Sequence, residues 1–314
     1  MILHNNKDLF DKAIKETADK LEIREVFIEK DYWISLVLKR LSESKYVDSV
    51  VFKGGTSLSK GFQLIDRFSE DVDIAVIDTA EHTGNQIKTM LRSVEKKITA
   101  NLKEIEKEGI TSKGSRYRKS VYEYPTLKKA EDNTLIVEIN SFANPYPYEE
   151  RTIQSMIGRY LHEKNQNKLV KENNLQAFEL NILDKKQTLI EKLVSLFRFS
   201  FDNNPVTSIS EKIRHFYDLY FLTKDKECYE YIHSKNFVKD FNKLLEHDKQ
   251  VFKEPEGWNK KEINDSPLFD GFDEVWGKLK QRYQSELSNL TFSKLPNETD
   301  VADKFKKLIA IIKA

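Results

Sequence analysis

Three short stretches of this chain hold residues whose types and spacing suit phosphate and cation chemistry. The first is VDSVVFKGGTSLSKGF, residues 47–62, a β-branched run ended by Gly54-Gly55. Two glycines leave backbone N–H groups uncovered, and the next residues are expected to open a helix whose first N–H groups attract anions. Thr56 and Ser57 add hydroxyls, although a Gly-Gly pair after a strand is also an ordinary turn. The second is DVDIAVI, residues 71–77. On a strand, Asp71 and Asp73 share one face while Val72 and Ile74 point into the core. Adjacent carboxylates repel unless a cation lies between them, and hard oxygens suit Mg²⁺ bridging to phosphates. An edge strand with two solvated aspartates reads the same way. The third is LIVEIN, residues 135–140. There Glu138 shares a face with Ile136 while Val137 and Ile139 take the other, so its carboxylate is paired, coordinated or at an edge.

The order of these parts sharpens them. Strand, Gly-Gly, short helix and a Ser-Glu-Asp-x-Asp strand set a phosphate cradle beside a carboxylate pair, as metal-assisted attack on a nucleoside triphosphate requires. The arrangement resembles the DNA polymerase β-type nucleotidyltransferase superfamily. More closely, KGGTSLSKGF followed by RFSEDVDI is similar to the AbiEii/AbiGii toxin family of nucleotidyltransferases, and the 15 residues between Gly55 and Asp71 suit that family. The resemblance implies that Lys53, Gly54, Gly55, Thr56, Ser57 and Ser69 bind the nucleotide phosphates. It implies that Asp71, Asp73 and Glu138 are catalytic and hold Mg²⁺ or Mn²⁺. A nucleoside triphosphate is then the substrate and RNA the acceptor, with tRNA 3′ ends foremost. The implied setting is a toxin of a type IV-like toxin–antitoxin or abortive-infection (phage-defence) system, with a cognate antitoxin encoded nearby. Two alternatives stay open: transfer to a small molecule or protein, and an inactive binding module.

Residues 183–222 carry a second part of the resemblance. Leu189, Leu193, Leu196 and Phe197 form a helical stripe that Lys192 borders. From the residues alone Lys192 could snorkel to water. The resemblance makes it a catalytic contact to the phosphates. In KIRHFYDLYFL, Ile213, Phe216, Tyr217 and Tyr220 make a core stripe, and Arg214 and Asp218 stand at i, i+4 as a helix-stabilising ion pair. The resemblance makes Asp218 the last catalytic residue, an acid/base or a positioner of Lys192. His215 faces elsewhere. FIEKDYWISLVLKRL (27–41) is also similar to the family, but Glu29, Lys30 and Asp31 have no evident mechanism and are left out of the site. The resemblance covers about residues 25–222; 223–314 match nothing.

These groups need elements to position them. Residues 7–44 and 83–108 read as helices, 47–52 and 71–77 as strands, and 56–65 as a short helix. Residues 112–125 and 134–142 read as an antiparallel pair joined through a Glu131-Asp132-Asn133 turn. The fold class is therefore α+β: a small mixed sheet flanked by helices, then a mainly helical half. Residues 1–150 are assigned to a nucleotidyltransferase core and 151–314 to a helical domain that contributes site residues. Basic residues Lys113, Arg116, Arg118 and Lys119, interleaved with Tyr117 and Tyr122, are a candidate RNA surface.

Composition sets the outer limits. The 314 residues are 39% hydrophobic with 19 Phe and 13 Tyr, which supports a real core rather than a disordered chain. Lys and Arg total 52 against 51 Asp and Glu, so no general polycationic character drives nucleic-acid binding. One cysteine, Cys228, permits no internal disulfide, and no run of about 20 apolar residues crosses a membrane. A cytoplasmic protein is expected. The six histidines show no metal-ligand spacing, and no Walker-type or GxGxxG motif is present.

Overall fold

The computed structural model describes all residues except 1, 70, 78, 80, 127–132, 144 and 314. Glu70 of the Ser-Glu-Asp-x-Asp motif and Glu131 and Asp132 of the expected turn thus lie outside the described residues. The chain divides into two compact units, 1–63 with 68–183, and 64–67 with 184–314.

The first unit is built on one mixed sheet. In chain order it contains α1 (Lys7–Leu21), α2 (Glu25–Ser42), β1 (Val50–Lys53), α3 (Gly54–Lys60), β2 (Asp71–Val76), α4 (Gly84–Ile98), β3 (Lys103–Ile105), β4 (Ser112–Lys113), β5 (Tyr117–Glu123), β6 (Thr134–Asn140), β7 (Tyr148–Ile153), α5 (Met156–Glu163), α6 (Asn167–Glu172) and β8 (Phe178–Leu183). The sheet runs β3-β5-β6-β2-β1-β8-β7, with β4 paired to β5. β2 pairs antiparallel with β1 and parallel with β6, and β5 with β6 forms the expected antiparallel pair. Strand alternation then sorts the side chains. Val72, Ile74, Val137 and Ile139 are fully buried, whereas Asp73 and Glu138 turn to the other face.

The structure differs from two of these expectations. The helix over 7–44 breaks at Glu22, which adopts a left-handed conformation (φ 56°) and caps α1. The helix over 83–108 is shorter. A capping box of Thr83 and Gln86 starts α4, which ends at Ile98; Asn101 has φ 65°, and residues 103–105 join the sheet against β5. Its buried stripe (Ile87, Leu91, Val94, Ile98) also stops there, so the charged tail has no apolar face to hold it helical. The half after about residue 150 is mainly helical, as expected, and also supplies two strands. β7 and β8 extend the sheet through parallel pairing of β8 with β1. FELNIL buries Leu180, Ile182 and Leu183 in a short alternation flanked by helical residues, which hid it.

The second unit is helical: α7 (Lys185–Ser200), α8 (Pro205–Ser210), α9 (Ile213–Leu222), α10 (Lys226–Ile232), α11 (Lys235–Val251), α12 (Pro267–Asp270), α13 (Phe272–Leu290) and α14 (Glu298–Lys313). Its core is aromatic. Phe216 lies 5.1 Å from Trp276 and 4.9 Å from Phe305, centroid to centroid, while Phe197 packs on Phe241 and Phe269. Such offset and edge-to-face pairs fix the helices around α7 and α9 more sharply than aliphatic contacts do.

Candidate active site

Register brings one row of charges together. Lys53 on β1 stands opposite Asp73 on β2, Asp73 opposite Glu138 on β6, and Glu138 opposite Lys119 on β5. Directly paired residues project to the same face, so four adjacent strands present lysine, aspartate, glutamate, lysine. Asp71 lies on the same face of β2, two residues from Asp73. The Lys119 ammonium is 3.5 Å from Glu138 Oε2.

The glycine turn closes over this row. Gly54 has φ +81°, and a Cβ built there would lie 3.0 Å from Asp73 Cγ and collide with its Oδ2. Only glycine therefore lets the backbone pass so near the carboxylate. The hydroxyls expected to meet phosphate are spent inside the protein: Thr56 Oγ1 donates to the Asp71 carbonyl, and Ser57 Oγ donates to the Gly54 carbonyl at 2.8 Å. What the turn offers an anion is backbone N–H. Ser69 is buried next to the strand.

This environment acts on the acids. Burial, then the charges of Glu138 and Asp71, push the Asp73 carboxyl well above the usual carboxylate range, against the pull of Lys53 and Lys119. Tyr117, on the same strand face as Lys119, donates its hydroxyl to Glu138. Burial first, and then that carboxylate, raise its phenol. Among the described residues no three His, Cys, Asp or Glu side chains form an ion-holding group as they stand. The donor chemistry nevertheless fits a divalent cation, because the repulsion that burdens Asp73 is what such an ion relieves.

The segment leading into this site is anchored from below by the EKD triplet. Asp31 binds the Lys60 ammonium at the end of α3 and accepts from the Met156 N–H at 2.7 Å. Glu29 accepts from Thr126 Oγ1 at 2.8 Å. The triplet is thus buried scaffolding that fixes the far end of the glycine-turn helix.

The second unit holds the other expected residues. Asp218, fully buried on α9, receives Arg67 in a two-pronged contact, Nε to Oδ1 and Nη2 to Oδ2 at 2.7 Å each, and Lys192 from α7 at 2.6 Å on Oδ2. Burial alone would raise its carboxyl, but the charges and hydrogen bonds of Arg67 and Lys192 hold it far below the usual range. Asp218 is therefore an ionised anchor and not a proton carrier near neutral pH. The expected Arg214–Asp218 pair is absent: Arg214 binds Glu286 at 2.9 Å. Lys192 does not snorkel, its side chain being only 6% exposed. Burial and the nearby Lys192 push the His215 imidazole well down, and its Nδ1 has no hydrogen-bond partner among the described residues. Arg67 is the functional-looking residue that sequence reasoning passed over, although it opens the quoted RFSEDVDI motif.

A family model for the nucleotidyl transferase AbiEii toxin of type IV toxin–antitoxin systems matches residues 36–307. The chain belongs to this family. AbiEii membership makes it a nucleotidyltransferase, implies a nucleoside triphosphate substrate and an antitoxin partner, and extends through most of the 223–314 region that no motif had assigned. Among solved structures, MenT4, a nucleotidyltransferase toxin from Mycobacterium tuberculosis, superposes with a TM-score of 0.55 at 15% identity, covering 96% of this chain and 89% of that one. The two share a fold. JHP933 from Helicobacter pylori gives 0.47 at 17% identity, covering 92% and 93%. No curated protein matches this AbiEii chain. Among the described residues no helix is long and apolar enough to cross a membrane.

The basic residues considered for RNA do not share one surface. Lys113 binds Glu104 at 2.6 Å, and Arg116 is exposed in the preceding turn. Arg118 points to the opposite face of β5 from Lys119, where its Nε meets Glu95 at 2.6 Å and Ser120 completes the network. Buried and paired in this way, Arg118 has no reach to a phosphate. Lys119 alone faces the carboxylates.

Proposed function

We propose that this AbiEii protein transfers a nucleoside monophosphate from a triphosphate to an RNA 3′ end, with tRNA as the acceptor, in the cytoplasm of a host defended against phage. The observation that carries this reading is the partly buried Asp73, crowded by Glu138 and Asp71 beneath a turn that only Gly54 can form. A carboxylate kept at such cost is a poised ligand, since a structural acid would be paired.

Asp71, Asp73 and Glu138 would hold Mg²⁺ or Mn²⁺. When bound, the cation supplies charge neutralisation for the triphosphate and for the pyrophosphate that departs. The residues of the chain do the rest. Backbone N–H groups of Gly54, Gly55, Thr56 and Ser57 hold phosphate oxygens, Ser69 supports the motif, and Lys53 adds charge. Glu138 takes the proton of the attacking hydroxyl. The new oxygen–phosphorus bond forms in line as the bond to pyrophosphate breaks, and the leaving group carries away the electron pair. Within the second unit, Asp218 positions the Lys192 ammonium by holding one of its three donors, and Arg67 holds Asp218.

Incubation with each radiolabelled triphosphate and total RNA tests the reading. Label is expected in RNA of tRNA size, lost when the divalent ion is chelated. Label in a small molecule or a protein alone would overturn the acceptor, and no transfer of any kind would mark a binding module.

A further inference from the structure

We infer that Lys119 is the acceptor-side phosphate contact of the transfer site, reading the last phosphodiester of the RNA whose 3′ hydroxyl attacks. The inference rests on the function proposed above and names what recognises its acceptor.

Lys53 and the Gly54–Gly55 turn lie at the β1 end, and Lys119 lies three strands away at the β5 end, with Asp73 and Glu138 between them. In-line displacement puts the entering and leaving oxygens on opposite sides of the α-phosphorus. A triphosphate tail held at the glycine turn therefore sends its pyrophosphate toward β1, and the attacking hydroxyl must come from the Glu138–Lys119 side. The 3′-terminal nucleotide brings a phosphodiester anion with that hydroxyl, and an ammonium is the group that suits it.

Lys119 is equipped for this task. Its 3.5 Å ion pair with Glu138 is longer than a hydrogen bond, so the ammonium keeps donors to give, and its side chain is 29% exposed. Tyr117, two residues away on the same face, bonds Glu138 and stands 6.0 Å from the Phe142 ring, an aromatic wall beside the entry side. Two of the other basic candidates are held by partners, Lys113 by Glu104 and Arg118 by Glu95, and Arg116 lies in the bend before β5, outside the strand register that sets Lys119 beside Glu138.

The test compares wild type with Lys119→Met and Lys119→Arg, each first shown to keep the wild-type melting temperature. Half-saturating concentrations are measured for the triphosphate and for two acceptors: an RNA oligonucleotide, and a free nucleoside that lacks the terminal phosphodiester. Lys119→Met is expected to raise the RNA value about tenfold and leave the triphosphate value within about twofold, with Lys119→Arg recovering most of the loss. RNA binding without triphosphate should lose about one unit of its logarithmic salt slope. The inference is overturned if the RNA value and the salt slope do not move, if the triphosphate value moves instead, or if the nucleoside suffers equally. If wild-type protein labels no RNA at all, the proposed function falls and this inference with it; if wild type labels RNA and Lys119→Met does so at unchanged RNA concentration, this inference alone falls.

Discussion

Asp73 is partly buried and Asp218 fully buried, and their surroundings drive them in opposite directions. Burial and then two like charges, across and along the sheet, push the Asp73 carboxyl up against the pull of Lys53 and Lys119. Asp218 meets a bidentate guanidinium and an ammonium, and its carboxyl is pulled down. Neighbours decide the outcome, because burial by itself raises both. The lesson is one of roles. An acid left in conflict is available to a ligand, whereas an acid fully paired is available only to hold its partners still.

Replacing each acid tests that contrast most strongly. Asp73→Asn should cut nucleotide transfer on the order of a thousandfold while the melting temperature holds or rises, as product formation and calorimetry would show. Asp218→Asn should do the reverse in emphasis. Leaving Arg67 and Lys192 buried against a neutral amide is expected to cost about 3–5 kcal/mol of stability, read from a denaturant midpoint. Equal destabilisation by both variants would break the comparison. Arg67→Lys keeps the charge but loses the two-pronged contact, with an expected loss of about 1–3 kcal/mol.

Acidity separates the two acids further. A raised carboxyl gives stability that is full below the unfolded value near pH 4 and fades as pH climbs through the folded value. In cation-free buffer wild type should therefore lose ground to Asp73→Asn as pH rises above about 4, and added Mg²⁺ should restore it. A lowered carboxyl behaves oppositely: the advantage of wild type over Asp218→Asn should be complete above about pH 4 and drain away below it. Melting temperatures across a pH series check both slopes. The smallest effect is expected from Arg214→Ala, at most about 1 kcal/mol, since its partner is Glu286 at a partly exposed site and not Asp218.

Much of this is legible in the sequence. The alternation of DVDIAV and LIVEIN told which side chains share a face, and the glycine pair told where the backbone must pass close. What alternation could not tell was register. That Lys119 rather than Arg118 faces Glu138 depends on which residues of β5 and β6 pair, and a shift of one would exchange them. Arg67 was unreadable for another reason. Its partner lies 151 residues onward, and no local spacing reports so distant a contact. The i, i+4 rule named Arg214 for Asp218 because it sees only one helix, while a guanidinium from outside that helix had the better geometry.

The row Lys53, Asp73, Glu138, Lys119 has a kinetic consequence. Its formal charges cancel across four strands. To an approaching polyanion such a row is neither magnet nor wall, so it adds little steering to diffusional encounter. Selectivity between correct and incorrect acceptors is then exercised after arrival, in how long each one stays, and dissociation rates are where it should be read.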